Sequence, residues 1–237
     1  MASRRKAGEV ISQGRGGVRG NIITKQGYQV DPVRDVIVLD GKTITPPEYF
    51  RTVLLNKPGG VLTTVSDDRK RKTVMELINV TERLFPVGRL DRDTEGVLLL
   101  TNDGDLAYRL THPKYEIDKV YEALVEGLVR DKIIRRLKGG VAIEQGIIVC
   151  GEVRILEKKE DQSRLEIRIH EGKKRQIKRM LKAVGHPVKF LRRICFAGLS
   201  TEGLPVGQWR DLNDGEVEKL YTVTKLGGPS FKGERSG

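Results

Sequence analysis

PVGRLDRDTEGVLLLTNDGDLAYRL, residues 86–110, places Arg89, Asp91, Arg92 and Asp93 directly ahead of the apolar run Val97-Leu98-Leu99-Leu100. An unbroken apolar run of this length, bounded by turn residues, reads as a strand buried on both faces. Gly88 permits a tight entry into the charged loop, and Gly96 an exit from it before the strand. After the strand, Leu106, Ala107 and Leu110 share one helical face, Asn102 or Asp103 can cap the helix start, and Pro113 forbids its continuation. Asp91 stands between two arginines. A carboxylate near fixed cations stays ionised, which suits a nucleophile or a general base. An ion-paired surface turn would carry the same charges, so on these residues alone both alternatives stand.

Outward from this stretch the pattern is strand-rich. SRRKAGEVISQ (3–13) reads as a short basic helix ended by glycines, and VRGNIIT (18–24) and DVIVLDG (35–41) as two short strands. Together they make a small basic unit up to about residue 45, followed by the proline-bearing linker TPPEYF (45–50). RTVLLNKPGGVLTTV (51–65) reads as a strand, a Pro-Gly turn and a second strand, and TVMELI (73–78) as a short helix. KVYEALVEG (119–127) alternates like a strand, RDKIIRRLKGG (130–140) is a short amphipathic helix, and the segments on either side of Asp161-Gln162-Ser163 pair as a hairpin. KKRQIKRMLKAVG (173–185) sets Ile177, Met180, Leu181 and Val184 on one helical face. The Gly/Ser-rich stretch from residue 226 to 237 is expected to be a flexible tail. The sum is an α+β chain dominated by strands.

The composition narrows the partner. The 237 residues carry a net charge of +12, with 38% hydrophobic and 32% charged residues. This permits a core and favours a polyanionic ligand, nucleic acid first. No apolar run approaches the roughly 20 residues of a membrane span, and no secretory leader opens the sequence, so a cytoplasmic protein with no membrane partner is expected. The two cysteines, Cys150 and Cys195, read as free thiols in a reducing compartment, and the three scattered histidines provide no metal-ligand spacing. Between Glu171 and Arg193 there are nine Lys/Arg and one acidic residue, with the apolar helix face opposite the basic one. Contact with a phosphate backbone explains that asymmetry.

Several of these segments together resemble the RsuA/RluB family of ribosomal RNA pseudouridine synthases. GRLDRDTEGVLLLTNDGDLAYRL is similar to that family's signature, LLNKPGGVLTT (54–64) to its first motif, KVYEALVEG to its tyrosine-bearing strand and EGKKRQIKRML to its basic helix. LRRICFAGLSTEGLPVGQWRDL (191–212) resembles its C-terminal stretch, so the resemblance runs from about residue 50 to 222, in the family's order. The resemblance implies a mainly antiparallel, mixed-sheet catalytic domain over 50–222. Residues 1–45 resemble the alpha-L RNA-binding module, with its usual opening helix missing.

The resemblance also implies roles. Asp91 falls on the catalytic aspartate, Arg89 on the residue that helps displace the target base, and Tyr121 on the base-stacking tyrosine. Lys178 falls on the cation that pairs with the aspartate, where many relatives have Arg, and Leu191 on an apolar position near the base pocket. Lys57 and Pro58 match the first motif, and Lys173 and Arg175 belong to the basic segment expected to bind RNA. The implied reaction isomerises a uridine to pseudouridine in folded RNA after the base is flipped out, with no cofactor and no metal. Thr111-His112-Pro113 and Glu116-Ile117 look like the RluB-like branch, whose members modify large-subunit RNA. The expected partner is therefore 23S ribosomal RNA, or a ribosome assembly intermediate, bound by a monomer with no DNA ligand. The alternatives are a 16S-directed enzyme and a non-catalytic RNA-binding assembly protein.

Overall fold

In the computed structural model, which describes residues 4–31, 34–45, 49–143 and 146–227, the chain divides into two units between Tyr49 and Phe50. Part of the expected linker (46–48) and all but two residues of the expected tail lie outside the described residues.

The first unit holds α1 (Arg4–Ser12), β1 (Gly16–Val18), β2 (Asn21–Ile23), β3 (Ile37–Leu39) and β4 (Lys42–Ile44), with the strands in antiparallel order β2-β1-β3-β4. Where the sequence suggested two strands there are two hairpins. Each turns on a residue pair in left-handed backbone, Arg19-Gly20 (φ 51° and 79°) and Asp40-Gly41 (φ 48° and 77°). That is the conformation two-residue hairpin loops demand. Arg15 closes onto the second turn, its guanidinium bonding both Asp40 oxygens at 2.7 and 2.5 Å.

The second unit contains β5 (Thr52–Lys57), β6 (Phe85–Pro86), β7 (Glu95–Thr101), α2 (Gly104–Thr111), β8 (Lys119–Glu126), α3 (Asp131–Gly139), β9 (Val141–Ala142), β10 (Ile148–Val149), β11 (Glu152–Lys158) and β12 (Gln162–Ile169). It continues with α4 (Gln176–Ala183), β13 (Val188–Phe196), β14 (Leu199–Ser200), β15 (Trp209–Asp211) and α5 (Asp214–Val223). Its main sheet runs β11-β12-β8-β13-β7-β5-β15, antiparallel except where β13 lies beside β7. The mainly antiparallel, mixed-sheet α+β class expected from the sequence is the one observed.

The sheet has a core on each face, and β7 serves both. Leu98 and Leu100 join one cluster with Tyr121, Leu165, Ile177, Met180 and Leu191. Val97 and Leu99 join the other with Leu106 and Leu110 of α2 and Leu220 of α5. This two-sided burial is why the run is apolar at every position rather than at every second one. Asp103 caps α2, accepting from the Asp105 and Leu106 amides at 3.0 Å each.

Three sequence expectations are corrected. No second strand follows the Pro-Gly turn: Gly60 takes φ 83°, and beyond it Leu62 makes a single bridge to Thr73. The 73–78 helix is one 3-10 turn, Val74–Leu77. The basic helix starts at Gln176 rather than 173, because Arg175 sits in left-handed backbone at φ 52°.

Candidate active site

The charged loop ahead of β7 is held on its inner side by two buried polar residues. Lys57, at the end of β5, is fully buried, and its ammonium donates to the carbonyls of Thr94 (2.9 Å), Pro58 (3.0 Å), Arg92 (3.2 Å) and Asp91 (3.3 Å). Thr63, also buried, donates its hydroxyl to the Leu90 carbonyl at 2.9 Å and accepts from the Leu90 amide at 3.3 Å. The two loops are zipped further by the Gly60 amide on the Arg92 carbonyl (2.8 Å) and by Arg92 Nε on the Gly60 carbonyl (3.1 Å). The Thr94 amide closes a turn onto the Asp91 carbonyl at 3.1 Å. Asp91 is thus fixed through its own backbone and that of both flanking residues, which leaves its side chain uncommitted.

Burial of Lys57 lowers its pKa from 10.5 to about 8, the charges of Asp93, Glu95 and Asp91 resisting that fall. All its donors are spent on backbone, so Lys57 supports the loop from within and offers nothing at the surface. The sequence had placed it among the RNA contacts.

The outer side of the loop carries the charge pair, with a different partner from the one expected. Lys178, on α4, meets Asp93 Oδ1 at 2.5 Å, not Asp91. The hydrogen bond from Lys178 holds the Asp93 carboxyl below its ordinary value, and the charge of Arg175 adds to that. Among the described residues the Asp91 carboxylate has no hydrogen-bond or ion-pair partner. It is half-buried next to Leu90, which is only 5% exposed and belongs to the same apolar cluster as Tyr121, Leu191 and Ile177. Tyr121 on β8 and Leu191 on β13 lie on that one face, since their strands pair with Tyr121 opposite Arg193 and Ala123 opposite Leu191.

The structure therefore brings Asp91, Tyr121, Leu191 and Lys178 to one face of the sheet, around the loop that Lys57 braces. Arg89 is exposed on the same loop, two residues before Asp91. Arg175 is exposed at the start of α4. Lys173 lies three residues before that helix and pairs with Glu171 at 3.0 Å, its ammonium also 3.5 Å from the Ile148 carbonyl. Sequence reasoning missed Thr63 and Asp93. The Thr-Thr pair after the Pro-Gly turn gave no signal, and Asp93 was hidden by its nearness to Asp91.

Chemically the arrangement presents one carboxylate without a partner among the described residues, on a loop tied down through its backbone, on the sheet face that carries an aromatic ring and an aliphatic wall, with exposed Arg89 and Arg175 nearby. That suits attack on a planar, neutral ring held in an anionic polymer.

Residues 51–183 match the family model described as RNA pseudouridylate synthase. The chain is similar to an uncharacterized RNA pseudouridine synthase of Aquifex aeolicus, with 44% identity over 95% of this chain and 91% of that protein. It is 41% identical to the ribosomal large subunit pseudouridine synthase B of Bacillus subtilis, over 98% and 95% of the two chains. A crystal structure of a pseudouridylate synthase matches 92% of this chain and 94% of its own, at 28% identity and a TM-score of 0.69.

Proposed function

The chain belongs to the RNA pseudouridylate synthase family and is an isomerase acting on RNA; from that premise we propose that it converts one uridine of 23S ribosomal RNA to pseudouridine, with Asp91 as nucleophile. The observation that carries the nucleophile is the half-buried Asp91 carboxylate, unpartnered among the described residues, on a loop whose backbone is tied down on both sides. The 23S target is supported by the likeness to the Bacillus subtilis relative, which extends over 98% of this chain.

In the proposed reaction the target base leaves its stack, a step worth a few kcal/mol. Arg89 occupies the space it vacates and Tyr121 stacks on the uracil. The N1–C1′ bond breaks, the ring turns, and a C5–C1′ bond forms. The C5 proton goes to solvent and N1 takes one up, so the product is an isomer and no cofactor is consumed. Asp91 forms a transient bond to substrate and is regenerated. Lys178 neutralises Asp93, which keeps a second negative charge on the loop from opposing the approach of RNA phosphates. Residues 1–45 serve as an accessory RNA-binding module.

The test maps pseudouridines in both ribosomal RNAs, by carbodiimide modification and primer extension, in cells lacking the gene. Loss of one 23S site, restored by the wild-type chain and not by Asp91→Asn, is expected. Loss of a 16S site would reassign the substrate, and no change in either RNA would overturn the ribosomal target.

A further inference from the structure

We propose that the outer face of α3 is a phosphate-binding surface that grips the substrate RNA beyond the target nucleotide, as a second anchor separate from the loop and α4. The inference rests on the proposed RNA substrate and adds a contact region that the site itself does not contain.

α3 is seated by one face. Leu137 is fully buried, and Ile133 and Ile134 pack against the cluster that also holds Tyr121, Leu191, Ile177 and Met180. α3 therefore covers the same side of the sheet as α4 and the candidate site, whereas α2 and α5 cover the other. At 3.6 residues per turn, Lys132 and Arg135 fall on the side opposite these apolar residues and Arg136 and Lys138 on its flanks, and all four are exposed.

Four exposed cations thus share the outer side of one helix. The paired arginines of the adjoining strands, Arg154 with Glu166 (2.9 Å), Arg164 with Glu122 (3.5 Å) and Arg168 with Asp118 (2.9 Å), alternate with the core residues and lie on the sheet face turned away from α3. Among the described residues none of the four on α3 has an ion-pair partner. The acidic residue of the helix, Asp131, is engaged by Lys158 at 3.2 Å. A solvated helix is ordinarily laced with its own counter-charges. On α3 the acidic residue is engaged from β11 and, among the described residues, the four cations have no counter-charge, which leaves a row of positive charge for an external polyanion.

Position sets the reach. α3 packs against β11, which is two strands from β8, where Tyr121 lies, and four from β7, where the Asp91 loop ends. At about 4.8 Å per strand these are separations of roughly 10 and 19 Å. Such a surface meets a stem flanking the target, not the flipped nucleotide.

The experiment compares two RNAs, a minimal stem-loop holding the target uridine and a longer 23S fragment that adds the flanking helix. The variant is Lys132→Gln/Arg135→Gln/Arg136→Gln, which keeps helix propensity. The control is Lys219→Gln, an exposed cation of α5 on the far face of the sheet. The triple variant is expected to lose about tenfold of the wild-type preference in kcat/KM for the long fragment, through KM. The slope of log affinity against log salt should shrink by about 2 to 3 on that fragment, close to 0.9 per phosphate contact removed, with the control matching wild type. Wild-type preference and slope in the triple variant, or an equal loss on both RNAs, would overturn the inference. A wild-type chain that turns over neither RNA would remove the substrate reading first, and this inference with it.

Discussion

Asp91 and Lys57 divide one task, and their substitutions should fail differently. Asp91→Asn keeps size and polarity while removing the proposed nucleophile. We expect release of the C5 proton from substrate RNA to fall by at least about a thousandfold with RNA affinity within about twofold, read by isotope release and filter binding. Lys57→Met removes a buried charge along with the donors to four carbonyls. It should leave the chain folded while lowering kcat on the order of a hundredfold, because misplacing a reacting group by about 1 Å has that effect. Circular dichroism and single-turnover rates on one preparation distinguish a loosened loop from a lost fold. The Lys178–Asp93 pair is a weaker element, since the Asp93 side chain is 70% exposed. A double-mutant cycle with Lys178→Met and Asp93→Asn should give a coupling in unfolding free energy under about 1 kcal/mol. Asp91 was singled out through the resemblance to the family signature, since one carboxylate between two arginines at the mouth of an apolar run left an ion-paired turn equally open. Lys178's true partner was not, since a sequence gives the order of Asp91 and Asp93 but not which of them turns toward α4.

At the scale of elements, legibility followed pattern length. β7, β8, α2 and α4 announced themselves through runs long enough to show a period or an unbroken apolar face. β13 did not. Register shifts between Val188 and Phe190, and again between Arg193 and Cys195, break its alternation. The strands of the first unit are three residues each, too short for any period to register. α5 had a readable signal that went unread: Asn213 and Glu216 form a capping box, with the Glu216 amide on Asn213 Oδ1 at 2.9 Å. The seam between β7 and β13 also hangs on one glycine. Gly96 has φ 100°, and a Cβ there would lie 2.1 Å from the Arg193 carbonyl oxygen. Gly96→Ala should therefore separate the two strands and lower unfolding free energy by more than about 3 kcal/mol, measured by urea denaturation. A variant as stable as wild type would show that the seam can shift.

For the whole second unit, two buried lysines set an uncommon pH response. Burial lowers Lys57 and Lys119 alike to about 8, from 10.5. Lys119 donates to the carbonyls of His170 (2.7 Å) and Ile117 (3.0 Å), with the charge of Arg193 adding to the effect of burial. Below pH 8 both lysines are protonated folded and unfolded, and the folded chain bears the full desolvation penalty. Between pH 8 and 10.5 the folded chain sheds protons that the unfolded chain keeps, so stability rises with pH. Cys195 and Tyr221, both raised by burial, oppose this from about pH 9 and 10 upward, because the unfolded forms ionise first. Unfolding free energy is thus expected to increase on the order of 1 kcal/mol from pH 8 to 9. The Lys57→Met/Lys119→Met variant should be flat over that interval, and a wild-type curve that falls there would contradict the burial of these ammoniums. Composition showed that the chain is basic, but not that two of its lysines are interior, since Lys57 and Lys119 sit in strand segments whose other residues already explain burial.

On the proposed reading, the double tie on the Asp91 loop, Lys57 from one strand and Thr63 from the turn beyond it, decides which molecule must yield when enzyme and substrate meet. A loop pinned at Leu90, Asp91, Arg92 and Thr94 has little slack to follow a uridine into its helix. The accommodation falls on the nucleic acid, and its ease of distortion becomes part of the recognition code. Uridines in bulges, loose junctions or not-yet-packed regions are the easy targets, whereas the same sequence locked inside a finished particle resists. On that reading discrimination has a temporal side, favouring young RNA before its target hardens.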